Sequence, residues 1–169
     1  QQLRVNFAPL PVTNREARET LIAAFPTTVT TKVLNGKHSD FNTNQMNDCF
    51  LRKMPRTLHC LVNLEEVILD RNRIEQISNR LSRLKKLVSI SFNYNKIKAI
   101  DRLRFRKLTK LDKLSLGRNQ LTNIPDDIQE LTKLTKLNLA GNQLKASNPA
   151  IQKRTELRHL ILYDNAIEK

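Results

Sequence analysis

Residue types that could carry catalysis are sparse and scattered in this sequence. The three histidines, His38, His59 and His159, lie far apart along the chain, and there is no HExxH or CxxC motif. A glycine-rich phosphate loop and a Gly-x-Ser-x-Gly nucleophile motif are also absent. Asp126 and Asp127 could suggest a metal site, but they open a predicted helical turn, where acidic side chains favour the helix dipole. We therefore predict a non-enzymatic chain with no metal and no cofactor.

Cationic side chains offer chemistry of another kind. The chain has 30 Lys and Arg against 16 Asp and Glu, a formal net charge of +14, which attracts polyanions such as RNA, DNA or acidic membrane surfaces. Basic residues crowd into positions 80–86 and 98–113. The candidate RNA-binding residues are Arg83, Lys85, Lys86, Arg102, Arg104, Arg106, Lys107 and Lys110. Ordinary solvated charge on outer helical faces is an equally good interpretation of this cluster.

A repeated apolar pattern indicates the elements that position these side chains. The string LxxLxLxxNxL, with Ile, Val or Phe allowed at the apolar positions, occurs five times in fixed register. Its asparagines, at positions 72, 95, 119, 142 and 165, are 23, 24, 23 and 23 residues apart. Alternation within LxLxxN predicts a short strand with apolar side chains turned inward. Each Asn amide is predicted to satisfy buried peptide groups of neighbouring repeats.

Segments between these strands predict short helical returns on the outer side. Residues 124–131 carry three apolar residues at spacings of 4 and 3, and residues 54–61 match them position for position. That alignment indicates a sixth, degenerate repeat beginning at Phe41, with Met46 as an inward strand residue and Cys49 at the Asn position. Because no single repeat can bury its own apolar face, stability must come from stacking the repeats.

Two repeats depart from the pattern. The third has 24 residues, and its extra residue falls within positions 101–107, where we expect a bulge with Phe105 as a core filler. In the fifth, Ser147-Asn148-Pro149 and Arg154 disfavour a helical return.

Residues 1–40 are predicted to cap the N-terminal end. Thr13 to Glu16 form a capping box for a helix over about residues 14–25, Pro26 ends it, and the β-branched segment Thr27–Leu34 predicts a strand. Residues 41–169 form the repeat domain of about six repeats. The last is truncated two residues after Ile167, so we expect the chain to be a fragment, or to continue into a region that is disordered or outside the structure.

The compartment is predicted from what the sequence lacks. No run of apolar residues is long enough to span a membrane. The two cysteines are too few for a disulfide-capped secreted protein, and no Asn-x-Ser/Thr glycosylation site occurs. These features favour a reducing, intracellular compartment.

Residues 41–169 resemble the leucine-rich-repeat family, in particular its intracellular short class with the pattern LxxLxLxxNxLxxIPxxIxxLxx. The resemblance implies an α/β solenoid with a parallel sheet on the concave side and helical or irregular returns on the convex side. It also implies protein binding through the concave face. Family members include signalling scaffolds, ubiquitin-ligase receptors and components of ribonucleoprotein assemblies.

On such a sheet, the exposed columns can be assigned from the repeat. They mix charges of both signs with aromatic and aliphatic residues, which suits a protein partner better than a phosphate backbone. The candidate protein-binding residues are Glu66, Ile68, Asp70, Arg71, Tyr94, Lys113, Arg118, Lys136, His159, Ile161 and Tyr163. For any one of them, a merely solvated strand position is the alternative.

Three functions remain open at this point. The leading hypothesis is a non-catalytic scaffold, part of a larger complex, that binds a protein on its concave face. The alternative is a structural component of an RNA-containing assembly such as an organellar ribosome, with the basic convex edge against RNA. A recognition arm of a larger enzyme or ubiquitin ligase is a third interpretation.

Overall fold

Six short parallel strands form one sheet in the part of the chain that the structure describes. The computed structural model describes residues 31–33, 51–54, 56–100, 105, 107–146, 148–152 and 156–168. The strands are β1 (Thr31–Val33), β2 (Glu66–Ile68), β3 (Ser89–Ser91), β4 (Lys113–Ser115), β5 (Lys136–Asn138) and β6 (His159–Ile161). Each strand pairs with its neighbours in chain order. The predicted α/β solenoid with a concave parallel sheet is therefore confirmed.

The register of the sheet follows the repeat. Glu66 pairs with Ser89, Ser89 with Lys113, Lys113 with Lys136, and Lys136 with His159. These are the successive members of one predicted column, so side chains at equivalent repeat positions stand side by side on the sheet.

Short helices return the chain between strands on the other side of the core. Three are 3-10 helices, at Arg56–Cys60, Asn79–Arg83 and Asp126–Glu130. Their middle apolar residues, Leu58, Leu81 and Ile128, are buried in the core. Asp126 and Asp127 lie in the first turn of their helix, as predicted.

The fifth return corrects one expectation, because an α-helix forms at Pro149–Gln152. Asn148 explains how. Its carboxamide oxygen accepts from the Ala150 backbone N–H at 2.6 Å, and its amide donates to the Ile124 carbonyl of the preceding repeat at 2.6 Å. Asn148 therefore caps the helix and ties it to its neighbour, an N-cap function that the Ser-Asn-Pro sequence also allows.

The hydrophobic core lies between the sheet and the returns. The middle residues of β2 to β5, namely Val67, Ile90, Leu114 and Leu137, are at most 1% exposed. Phe105 is buried in the same core, which confirms its prediction as a core filler.

A ladder of asparagines joins each repeat to the next. Asn95 shows the pattern: its amide donates to the carbonyl of Leu69 in the preceding repeat (2.9 Å) and to that of Phe92 in its own (3.0 Å). Its carboxamide oxygen accepts from the backbone N–H of Ile74 at 3.0 Å. Equivalent bonds are made by Asn119, Asn142 and Asn165. The predicted function of these residues is confirmed.

The first strand pairing is a second correction. In every later pair the partners are 23 or 24 residues apart, whereas Thr31 of β1 pairs directly with Glu66 of β2. The strand beside β2 is thus β1, from the predicted cap, whereas Met46, the predicted strand residue of the degenerate repeat, lies outside the described residues. The degenerate repeat keeps its register after the strand, since Leu51 donates to Asn72 at 3.0 Å as Ile74 does to Asn95.

The sixth repeat differs from the others in burial. All three residues of β6 are exposed, and Leu160, which occupies the inward position of the pattern, is 41% exposed. Among the described residues, no further repeat packs on its outer side.

Several predictions fall outside the described residues. They concern the cap helix at about 14–25, Met46 and Cys49, the bulge at 101–104, and Arg154.

Removing one ladder residue should destabilise the solenoid. In Asn119→Ala, the buried Ile97 N–H loses its acceptor, and the Phe92 carbonyl loses one of its two donors and keeps Asn95. An orphaned buried group costs roughly 1 to 3 kcal/mol, and each other lost hydrogen bond costs about 1 kcal/mol, so we expect the free energy of unfolding in urea to fall by about 3 kcal/mol. The exposed Asn123 provides the control, because Asn123→Ala removes the same side chain without orphaning these groups. Equal effects of the two substitutions would contradict the ladder's importance.

Candidate functional site

The first residue of each strand forms the first column of the predicted face. Lys113, Lys136 and His159 are exposed on β4, β5 and β6, and Glu66 is half-buried on β2. Neighbouring strands lie about 4.8 Å apart, so the three basic side chains stand in an uninterrupted row. The structure thus brings these four candidate residues together on one face, with the acidic one at the opposite end from the basic ones.

Ile68 and Ile161 are the third residues of β2 and β6 and belong to the second column. Ile68 is half-buried and Ile161 is 38% exposed. Between them the column is polar and small, with Ser91, Ser115 and Asn138. The exposed apolar surface of this column therefore lies at β6.

The third column lies two residues after each strand and consists of Asp70, Asn93, Gly117, Ala140 and Tyr163. Side-chain hydrogen bonds hold its first three residues. Asp70 accepts from the Ser91 hydroxyl at 2.6 Å and from the Asn93 N–H at 2.7 Å. Asn93 in turn accepts from the Gly117 N–H at 2.8 Å. Asp70 thus stabilises the face from within, so its carboxylate is already engaged before any partner arrives.

The centre of this column corrects the expectation that it is exposed, because Gly117 and Ala140 are buried. A Cβ at Gly117 would lie 3.1 Å from the Asn93 carboxamide oxygen. Since Gly117 has no side chain to accept from the next repeat, Asn138 accepts from the Ala140 N–H instead, at 3.1 Å. Small residues here keep the floor of the face low.

The fourth column has a backbone property that the sequence analysis missed. Arg71, Tyr94, Arg118 and Asp164 all adopt a left-handed backbone, with φ between 54° and 56°, and Gly141 has φ of 65°. The signal was present, since Gly and Asp at two of the five positions are residues that favour this conformation.

Charged and aromatic side chains of the fourth column pair with one another. The Arg71 guanidinium lies 4.7 Å from the centroid of the Tyr94 ring, a cation–π contact. Arg118 forms an ion pair with Asp164 at 2.9 Å, and its side chain crosses Gly141, where a Cβ would lie only 2.6 Å from Arg118 Cδ. These four side chains line one margin of the face. Because Gly141 has no side chain, there is room for the Arg118 side chain to cross it.

A shallow groove lies over β4 to β6. It is lined by residues from all three strands, among them Ser115, Lys136, Asn138, His159 and Ile161. Beside it, the Tyr163 side chain is 64% exposed. Polar, basic and apolar side chains therefore converge at this end of the face.

The candidate RNA-binding residues lie away from the sheet face. Arg83, Lys85, Lys86, Lys107 and Lys110 are exposed on the returns and on the turns that follow them. The Lys86 ammonium donates to the Asn63 carboxamide oxygen of the preceding repeat at 2.7 Å. Arg102, Arg104 and Arg106 lie outside the described residues.

One further lysine, missed by the sequence analysis, joins this basic edge. Lys133 is exposed and occupies the turn before β5, as Lys86 and Lys110 do before β3 and β4. The three precede their strands by three residues, so register alone could have identified the row.

The two surfaces differ in net charge. The four columns contain four cations (Arg71, Lys113, Arg118, Lys136) and three anions (Glu66, Asp70, Asp164), a net charge of +1. The whole chain carries +14. Nearly all of the excess positive charge therefore lies off the sheet face.

Neither a metal-binding cluster nor a membrane-spanning helix occurs in the part of the chain that the structure describes. Across the described residues, no three His, Cys, Asp or Glu side chains are grouped so that they could hold a metal ion. None of the described helices has the length and apolar character needed to cross a membrane.

Comparison with known proteins agrees with the fold and the repeat. The leucine rich repeat family model matches residues 62–121 and 85–144. With the parallel sheet and the asparagine ladder, these matches identify the chain as a leucine-rich-repeat protein. Such proteins generally serve as protein-interaction scaffolds and are generally non-enzymatic.

Two solved structures from Listeria monocytogenes share the fold. The chain resembles the internalin InlF with a TM-score of 0.67 and 23% identity, over 92% of this chain and 46% of that one. It resembles the functional domain of InlJ with a TM-score of 0.65 and 24% identity, over 89% of this chain and 28% of that one. At this identity the likeness concerns the fold alone.

A curated relative matches a shorter stretch. The chain is 41% identical over 73 residues to a probable serine/threonine-protein kinase, pats1, from Dictyostelium discoideum. The match spans 41% of this chain and 2% of the kinase, so it concerns a small part of that protein.

Gly141→Ala should destabilise the fourth column. A left-handed backbone costs a residue with a Cβ roughly 1 to 2 kcal/mol, and the new methyl group would also displace Arg118. We expect a loss of about 1 to 2 kcal/mol in the free energy of unfolding. Repeating the substitution in an Arg118→Ala background removes the clash and isolates the backbone term. A neutral Gly141→Ala would contradict this account.

Proposed function

We propose that this chain is a non-catalytic scaffold that binds a protein partner on its concave face. The observation that carries the proposal is the face itself: five repeats in register present a continuous, nearly neutral surface of mixed chemistry. Protein interfaces combine aromatic and Arg side chains with polar groups in this way, whereas polyanion sites are strongly positive.

Rigidity of the face supports the proposal. The bonds among Asp70, Ser91, Asn93 and Gly117 fix the centre, and the Arg118–Asp164 ion pair spans the margin. A surface that is ordered before binding loses little conformational entropy when a partner docks. The network therefore favours affinity for a partner, although its own polar groups are already hydrogen-bonded to one another.

Anchor residues are also available. Tyr163 and Tyr94 are 64% and 50% exposed, and Ile161 lies between Tyr163 and the basic row. Exposed aromatic side chains are enriched among the residues that contribute most to binding. We assign Tyr163 as the principal anchor, since the Tyr94 ring already contacts Arg71.

Charged substitutions at the two tyrosines test this function. We expect Tyr94→Glu combined with Tyr163→Glu to reduce capture of nuclease-resistant protein partners at least tenfold, since hot-spot aromatics contribute about 2 kcal/mol or more. The readout is quantitative pull-down with mass spectrometry from nuclease-treated extract. Val62→Glu, at an exposed apolar residue on a turn, is the control and should not change capture. Unchanged capture by the tyrosine variant would overturn the proposal.

The exposed basic edge favours a second candidate function, a structural component of an RNA-containing assembly such as an organellar ribosome. Lys86, Lys110 and Lys133 form a row over three repeats, with Arg83, Lys85 and Lys107 nearby. Contacts of this kind position a phosphate backbone without reading its sequence. The two functions are compatible, because the edge and the face are separate surfaces.

Salt dependence of RNA affinity tests the second function. For single-stranded RNA, each neutralised phosphate contributes about −0.7 to the slope of log affinity against log salt. Replacing Lys85, Lys86, Lys107 and Lys110 with Gln should weaken binding and flatten the slope, measured by filter binding from low to physiological salt. The matched variant replaces Lys96, Lys113, Lys136 and Lys145 with Gln. A flat response of the native protein, or equal losses in both variants, would refute an RNA-binding edge.

We also propose an intracellular location within a larger complex. Cys60 is an exposed free thiol, and such thiols persist in reducing compartments. A scaffold with two chemically different surfaces is suited to hold two components of one assembly.

A further inference from the structure

We propose that the concave face over β4 to β6 receives an acidic helical segment of the partner protein. The inference rests on the proposed protein-binding function and deepens it by assigning the partner's chemistry. It depends on the order of charges across the sheet, on the low floor, and on the dimensions of the groove.

Charge is ordered along the face. Glu66 and Asp70 lie at β2, whereas Lys113 and Lys136 lie at β4 and β5, with His159 next to them on β6. Neither lysine forms an ion pair within the described residues, and the carboxylate next to Lys113 in sequence, that of Asp112, accepts from the Thr135 hydroxyl. Two adjacent lysine side chains thus face solvent without a carboxylate to neutralise them, and a partner's carboxylates can do so.

The floor beside these lysines is shaped for a bulky occupant. Gly117 and Ala140 are buried and have little or no side chain, so the surface between the basic row and the Arg118–Asp164 margin is low. Ile161 and Tyr163 rise at the β6 end. The concave face over β4 to β6 is therefore basic along one side, low in the centre and apolar at one end.

The width and length of the face over β4 to β6 match those of an α-helix. A three-residue strand presents a face about 10 Å wide, which is close to the 10 to 12 Å diameter of an α-helix with its side chains. Lys113 and His159 are two strand spacings apart, about 10 Å, and seven residues of helix rise about 10.5 Å. Carboxylates at positions i, i+4 and i+7 lie on one helix face and meet the row in register. In an extended chain, the three successive side chains of one face are at i, i+2 and i+4 and span about 13 Å, so they do not match the row of about 10 Å from Lys113 to His159.

The same face is unsuited to a nucleic acid. A phosphate backbone laid along the whole face would meet the carboxylates of Glu66 and Asp70 at β2 and that of Asp164 after β6, and the net charge of +1 over the four columns offers no general attraction. An acidic helix with one apolar residue against Ile161 and Tyr163 is favoured over RNA on these grounds.

A designed peptide tests the proposal directly. The probe is a fluorescein-labelled, alanine-rich 17-residue helix with Glu at i, i+4 and i+7 and one Leu a turn beyond. Its control has the same composition with Glu at i, i+1 and i+2, which point to different sides of the helix. A 12-residue oligouridylate is the RNA probe. Fluorescence anisotropy gives the affinities of the full chain for all three, and circular dichroism reports the peptide's helicity.

Four protein forms are compared. The native chain should bind the aligned peptide at least fivefold more tightly than the control peptide. Lys113→Glu with Lys136→Glu should weaken that binding at least tenfold, and the neutral pair Lys113→Gln with Lys136→Gln should weaken it less. Lys96→Glu with Lys145→Glu removes the same charge from exposed positions outside the four columns and should change it less than twofold.

Each contrary result is decisive. Equal affinity for the two peptides, or equal losses in the two Glu variants, would show only attraction to a basic chain and would overturn the proposal. RNA binding that depends on Lys113 and Lys136 while peptide binding does not would assign the groove to a nucleic acid. If the tyrosine variants abolish partner capture but the aligned peptide fails, the protein-binding function stands and the acidic-helix inference falls.

Discussion

The hydrogen bonds of the buried asparagines are the constraint on which the rest of the structure depends. After each strand the chain turns inward, and the peptide groups of that turn are removed from water without a strand partner. Asn95, for example, satisfies Ile74 and Leu69 of the preceding repeat. Because buried peptide groups must be paired, each repeat is completed by its successor. The ladder fixes the spacing of repeats, and that spacing aligns the columns of the face.

Much of the core could be predicted from the sequence, and part of the face could not. Inward positions follow a strict period, so the repeated pattern alone predicts that Val67, Ile90 and Phe92 are buried, as the structure shows. Gly117 and Ala140 were expected to be exposed, because a repeat pattern gives the direction of a side chain and not the height of its neighbours. The pairing of β1 with β2 was missed because it breaks the repeat length. Pairing of Arg118 with Asp164, two repeats away, depends on the glycine between them.

The two candidate surfaces differ in how their charges are used. On the face, Arg71 contacts an aromatic ring and Arg118 pairs with Asp164, and the net charge is +1 although four cations are present. On the edge, lysines recur at one repeat position in three consecutive repeats, as Lys86, Lys110 and Lys133. A surface of mixed charge discriminates among partners by the arrangement of its charges. A uniformly charged surface attracts any oppositely charged partner in proportion to its net charge. The same repeat length accommodates both surfaces, because the residue types at different positions of the repeat can vary independently.

The asparagine ladder also determines which changes of length the chain can absorb. Between Asn95 and Asn119 the repeat has one extra residue, yet Ile97 still donates to Asn119, and Asn119 still donates to Phe92, at the distances found elsewhere. The extra residue therefore leaves these bonds of the ladder intact. Insertion of a complete repeat offers every group its accustomed partner on both sides, whereas insertion within LxLxxN orphans buried groups. The chain can therefore change in length by whole repeats or within the returns without loss of the ladder.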